Sequence, residues 1–263
     1  MAAVAVLLWG GEYLQRGLWE PDEARYAYVA KEMRDTGQWA VLHRHGEIYP
    51  DKPPLMFWLI NAFAAFTGGE INGASARLPS LVGAILSLWV TVTLATKWRD
   101  RRAGWRAGLI LLTSFLFWQE GGMGQLDSLL CGLEMAAIYL LFTNDEAPSV
   151  WRPALAYGVM GLAFLTKGPV GFVVPLGAYM AMRLASGERA ALKKWHWVWG
   201  PVITLAFPAA WLLWAWLGGG PREYFGGLFG QTGRRLIEGT GHSAPFCYFF
   251  LHYPLELMPW TVF

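Results

Sequence analysis

Two short segments set acids beside bases at spacings that could do chemistry. "PDEARYA" carries Asp22, Glu23 and Arg25, and "YPDKPP" carries Tyr49, Asp51 and Lys52 ahead of a double proline. Further along, Asp127 stands in "GQLDSLL", Lys167 in "FLTKGPVG" and His242 in "GTGHSAP". A carboxylate near fixed cations suits a reaction in which a hydroxyl loses its proton while a departing group gains negative charge. Proton acceptance by a placed carboxylate typically contributes ~10²–10⁴-fold. Arg and Lys at a dry interface stabilise the charge where it develops.

Each of these residues also has a plainer reading. Asp22 and Glu23 suit the first turn of a helix, where acids favour the positive end of the dipole. Asp127 could cap a helix start, and Lys167 could snorkel from a helix end. Arg77, in "ARLPS", could be a helix-start contact only. His242 lies among glycines and reads as a loop residue.

The elements that must position these residues are membrane helices. Of 263 residues 55% are hydrophobic and 15% charged, with 16 Trp and a mean hydropathy of +0.31. Ordinary globular domains carry about 25% charge, so an integral membrane protein is expected. The Trp excess fits belts at the two membrane interfaces. A net charge of +2 gives no footing for nucleic acid. Cys131 and Cys247 offer neither a disulfide framework nor a metal spacing, and Met1 to Leu8 lacks the basic start of a cleavable signal.

A crossing helix needs about 20 mostly apolar residues. Candidates are a stretch beginning with Met1–Trp9, then Ala74–Thr96, Leu109–Trp118 with its flanks, Leu126–Phe142, the long run Trp151–Met182, Val198–Leu217, and a start at Phe246–Phe263. "KWRDRRAGWR" and "RLASGERAALKKWH" are basic loops, and such short loops stay cytoplasmic. Both fall on one side only if Trp151–Met182 crosses twice, turning at Gly168-Pro169; a re-entrant hairpin is the alternative. With two crossings, Asp22, Asp127, Lys167 and His242 converge on the opposite, external side. Between the first spans, Pro21 opens and Gly37 closes an amphipathic helix with the stripe Tyr26, Val29, Ala30, Met33. It is too short and too charged to span and should lie in the interface plane. On it Asp22, Arg25 and Tyr26 share a face.

In this order the motifs resemble the bacterial aminoarabinose transferase and protein mannosyltransferase superfamily, from about Leu18 to Trp260. "PDEARYA" followed by "DKPPL" is the specific part of the resemblance. It implies an all-α, polytopic GT-C transmembrane bundle, with juxtamembrane helices in the first external loop and residues 1–263 forming one glycosyltransferase domain. It further implies an inverting transfer of a sugar from a polyprenyl-phosphate donor to a lipid (lipid A-like), glycan or protein acceptor. The implied setting is the bacterial inner membrane, amid its lipids, with the active site facing the periplasm.

Carried over position by position, Asp22 is the general base and Glu23, its neighbouring acid, orients the groups around it. Asp127 is the acid of the second external loop. Arg25, Lys52, Tyr49 and Lys167 match donor and lipid-phosphate positions. Asp51 stands where the superfamily commonly has Glu; with His242 it would hold a divalent, zinc-like metal, and no other cofactor is implied. Members continue for several helices and an external domain past the point this chain reaches, so part of an acceptor site is expected to be missing. The alternative from a different class is a transporter or lipid flippase with an intramembrane Asp/Lys relay, which would place charges near mid-span in matching halves.

Overall fold

The computed structural model describes residues 9, 11, 16–19, 21–187, 196–237 and 248–263. The expected span over Met1–Trp9 lies almost wholly outside the described residues, as does His242.

Helix α1 (Asp22–Thr36) begins after Pro21 and ends at Gly37, whose left-handed backbone (φ 69°) brings its N–H to the Arg34 carbonyl. Its stripe Tyr26, Val29, Ala30 and Met33 is fully buried. A minimal hairpin follows, β1 (His43–Arg44) antiparallel to β2 (Glu47–Ile48) with His43 opposite Ile48. Glu32 of α1 braces its tip by accepting the N–H groups of His45 (2.8 Å) and Gly46 (2.7 Å). Helix α2 (Leu55–Phe66) is apolar and packs against α1. There Asn61 donates to the Ala30 carbonyl at 2.8 Å. Two juxtamembrane helices and a small hairpin thus form the first loop, all before the first long span.

That span is α3 (Gly73–Trp98), started by a reciprocal Asn72/Ser75 capping box. The apolar stretch around Leu109–Trp118, expected as one span, is two helices, α4 (Arg101–Thr113) and α5 (Phe115–Gly122). Ser114 breaks it: its backbone is extended (ψ 133°), and its hydroxyl donates to the Ile110 carbonyl at 2.7 Å. Helix α6 (Leu126–Glu146) crosses α3 closely. At the crossing, a β-carbon on Gly132 would run into the backbone of Gly83, the small-residue contact that lets membrane helices approach.

The long run 151–185 divides at Gly168 (φ 82°) into α7 (Trp151–Lys167) and α8 (Val170–Ala185). Lys167 pairs with Asp127 at one end of α6, and Arg183 pairs with Asp145 at the other. Each half therefore runs the length of α6, the arrangement expected of two crossings. Helix α9 (His196–Leu217) packs on α7 and is followed by α10 (Arg222–Ile237). By length and composition α3, α6 and α9 could each cross a bilayer. Apolar side chains such as Trp89, Val202, Trp214 and Trp216 lie exposed on their outer faces. The stretch from Phe246, expected to start a further span, holds a nine-residue helix, α11 (Tyr248–Glu256), and a 3₁₀ turn at Trp260–Val262.

Candidate functional site

Helices α3 and α6 start at one end and finish at the other, and α7 returns beside them, so charges far apart in sequence share an end. Lys97 pairs with Glu146, and Arg183 with Asp145, at one end. Asp22, Asp127 and Lys167 lie at the other.

The cleft at that second end is built by docking the first loop onto α9 and α10. The Ala40 carbonyl accepts the indole N–H of Trp211 at 2.9 Å and the Tyr224 hydroxyl at 3.4 Å. Gly227 lets α10 press on Pro50, since a β-carbon there would stand 2.6 Å from the ring. Pro50, Asp51, Lys52 and Pro53 thereby form one wall of a cleft of about 380 Å³. Lys167, Gly168 and Pro169 form another wall, and Leu205, Pro208, Ala209 and Leu212 of α9 form an apolar flank. Two lysines from separate elements and an acid thus stand at the head of a greasy groove. An amphiphile with an anionic head has the matching shape and charge.

The remaining site residues sit beside it on α1 and α6. Arg25 Nη2 donates to Asp22 Oδ1, and the guanidinium lies over the Tyr26 ring, 5.3 Å from its centre. Lys167 Nζ donates to Asp127 Oδ1. Both pairs are part-open, with side-chain exposures of 28% and 34% for Arg25 and Asp22, and 31% and 55% for Lys167 and Asp127. The charges of Asp22 and Asp127 both act on Tyr26, and those of Arg25 and Asp51 both act on Tyr49, so the segments form one electrostatic unit. Burial pushes the Tyr49 phenol up to about 12, with Arg25 opposing the rise and Asp51 adding to it. It therefore remains a neutral hydrogen-bond donor. Its hydroxyl is buried without a hydrogen-bond partner among the described residues.

Glu23, grouped with the catalytic acids as the one that orients the groups around it, is 3% exposed and held in a bidentate pair with Arg77. Neighbours on a helix point about 100° apart, so only one of the two acids could face the site. Arg77, read as a helix-start contact, is wholly buried. Asp51 lines the cleft, but its expected metal co-ligand His242 is outside the described residues. Among the described residues no three His, Cys, Asp or Glu side chains converge.

The sequence reading passed over Glu120 and Glu134. The charges of Asp127, Lys167 and Asp22 act on Glu120, and those of Lys167 and Asp127 act on Glu134. The available signal was an acid inside an apolar run, a functional candidate by default.

Fold and site together define a polytopic helical membrane protein with an acid-and-base cluster above an apolar groove at one end. Residues 51–214 match the family described as dolichyl-phosphate-mannose-protein mannosyltransferase, and the chain belongs to that family. Among curated relatives, an undecaprenyl phosphate-α-4-amino-4-deoxy-L-arabinose arabinosyl transferase of Sodalis glossinidius is 30% identical over 199 residues, 72% of this chain and 34% of the relative. The corresponding transferase of Shewanella sediminis is 27% identical over 93% of this chain and 45% of its own. The crystal structure of ArnT from Cupriavidus metallidurans bound to undecaprenyl phosphate matches with a TM-score of 0.83 at 23% identity, covering 99% of this chain and 48% of that one. Its apo form matches at 0.80. The fold is thus the GT-C fold of ArnT, and the chain spans about half the length, or less, of these relatives.

Proposed function

We propose that this chain carries the donor site and catalytic base of a bacterial inner-membrane glycosyltransferase. It takes a sugar from a polyprenyl-phosphate donor and delivers it to a lipid A-like acceptor on the external face. The observation that carries this reading is the cleft, where Lys52 and Lys167 flank Asp51 at the head of an apolar groove on α9. The relatives named as undecaprenyl-phosphate-sugar transferases support it, as does the solved ArnT complex with undecaprenyl phosphate.

In this reading the isoprenoid lies along Leu205, Ala209 and Leu212, and its phosphate is met by Lys52, Lys167 and Arg25. The orphaned Tyr49 hydroxyl supplies a further hydrogen bond to a phosphate oxygen. Asp22 takes the proton of the acceptor hydroxyl as its oxygen attacks the anomeric carbon from the face opposite the phosphate. The new C–O bond forms as the sugar–phosphate bond breaks. The electron pair leaves on the phosphate oxygen, where the cations stabilise it. One displacement inverts the anomeric centre. Arg25, paired with Asp22, keeps the base beside the phosphate site and is itself close enough to turn to the departing charge. The placement of these charges at one end of the helices, with none of them at mid-span in matching halves, favours transfer over transport.

The test is to incubate membranes holding the full-length protein with a labelled undecaprenyl-phosphate-linked amino sugar and lipid A. Label appearing in lipid A, with release of undecaprenyl phosphate, is the expected result. Movement of intact donor across the bilayer without transfer would sink the reading in favour of a flippase.

A further inference from the structure

The transfer chemistry uses neither Arg77 nor Glu23, yet no other charged side chains of the described residues are so completely enclosed, at 1% and 3% exposed. Arg77 Nε donates to Glu23 Oε1 at 2.6 Å and Nη2 to Oε2 at 2.7 Å. Two further N–H groups go to the carbonyls of Arg16 at 2.8 Å and Gly17 at 2.7 Å. Glu23 in turn accepts the backbone N–H of Trp19 at 2.7 Å and of Gly124 at 2.9 Å. One buried pair thus joins four stretches of chain: residues 16–19, the start of α1, the start of α3, and the segment entering α6.

Two of those stretches end in carboxylates of the site. Asp22 directly precedes Glu23, and Asp127 lies three residues past Gly124. The fit around the pair is close. A β-carbon at Gly124 would stand 3.0 Å from both Glu23 Cγ and the Ala76 carbonyl, and one at Gly73 would stand 2.8 Å from Arg77 Nη1. A second tie reinforces the same junction: Ser80 donates to the Gln125 carbonyl at 2.7 Å, and Ser128 to the Ser80 carbonyl at 2.8 Å. Stability alone does not account for this node, because apolar replacements of buried ion pairs are often as stable. What a planar guanidinium fork supplies, and an apolar cluster lacks, is a fixed direction for every bond it makes.

We propose that Arg77, acting through Glu23, is a positioning residue that fixes Asp22 relative to Asp127. The proposal rests on Asp22 being the base, but its geometric part can be measured without turnover. Spin labels at Lys31→Cys on α1 and at the native Cys131 on α6, with Cys247 replaced by Ser, report the spacing of the two elements in the full-length protein. Wild type should give one narrow distance and Arg77→Met a broadened or shifted one. In the transfer assay, Arg77→Lys should lower kcat about 10²-fold, the scale of a 1 Å misplacement, with the Kd for undecaprenyl phosphate unchanged. Lysine keeps the charge but cannot hold two carboxylate oxygens and two carbonyls at once.

Three results would overturn the proposal: a wild-type distance in Arg77→Met, wild-type kcat in Arg77→Lys, or a Kd that weakens in step with kcat. Should Arg77→Met fail to fold, Gly124→Ala presses on Glu23 more gently. It must then broaden the same distance, and an unchanged distance counts against the node. An absence of transfer in wild type would refute the transferase reading and leave the distance measurement intact.

Discussion

Asp127 and Asp145 stand at opposite ends of α6, and each is paired with a cation from the α7–α8 hairpin, but in different surroundings. At the cleft end, Asp127 is 55% exposed and Lys167 31%. At the far end, Arg183 and Asp145 are 6% and 10% exposed. That pair is enclosed by the Tyr179 hydroxyl, which donates to Asp145 at 2.5 Å, and by the Phe142 ring 4.9 Å under the guanidinium. Open pairs add little to stability, and their charges remain available to a substrate. Enclosed pairs are costly to break, because the survivor is left as a buried charge. The comparison separates a working end from a fastening end of one helix bundle, and the same distinction separates part-open Asp22 from buried Glu23 one residue later.

The largest effect should come at the working end. Asp22→Asn keeps size and removes the proton acceptor, so transfer should fall ~10²–10⁴-fold while expression and melting temperature in detergent hold. Activity near wild type would remove Asp22 as the base. Next, Arg183→Met at the fastening end should cost about 3–5 kcal/mol of stability by stranding Asp145. It should leave turnover per folded molecule unchanged. A variant that melts normally but transfers poorly would mean that the far end also does chemistry.

Lys52→Ala should weaken binding of undecaprenyl phosphate itself about 10- to 100-fold, since a hydrogen bond to a charged group is worth roughly 1.5–3 kcal/mol. Normal binding in a titration would move Lys52 out of the phosphate site. Asp127→Asn should change stability by less than about 1 kcal/mol, a direct contrast with Arg183→Met that a side-by-side thermal melt resolves. The smallest perturbation tests orientation. A cysteine at Gln38 should react in intact cells with an impermeant thiol reagent, and one at Ala103 should not. The reverse pattern would invert the proposed topology.

By itself the sequence determined whatever depends on near neighbours along the chain. Pro21 and Gly37 bracket α1 because one fixes φ for a helix start and the other accepts the left-handed turn at its end. The 26, 29, 30, 33 spacing marked its buried face, and apolar length marked α3, α6 and α9. The two basic segments gave the parity that gathers Asp22, Asp127 and Lys167 at one end.

Tertiary structure decided what depends on which element lies opposite. That both halves of the 151–185 run lie along α6 was set by Lys167 reaching Asp127 and Arg183 reaching Asp145, pairings between helices that no local pattern encodes. Ser114 splits one expected span into two helices, though no proline or glycine marks the break. The docking of the first loop on Trp211 and Tyr224, which turns Lys52 toward Lys167, passes through a backbone carbonyl, and every residue has one. The separate fates of Asp22 and Glu23 are the clearest case. The two acids are adjacent and chemically alike, and only the arrival of Arg77 from α3 and Gly124 from the start of α6 makes one a buried fastening and leaves the other part-open.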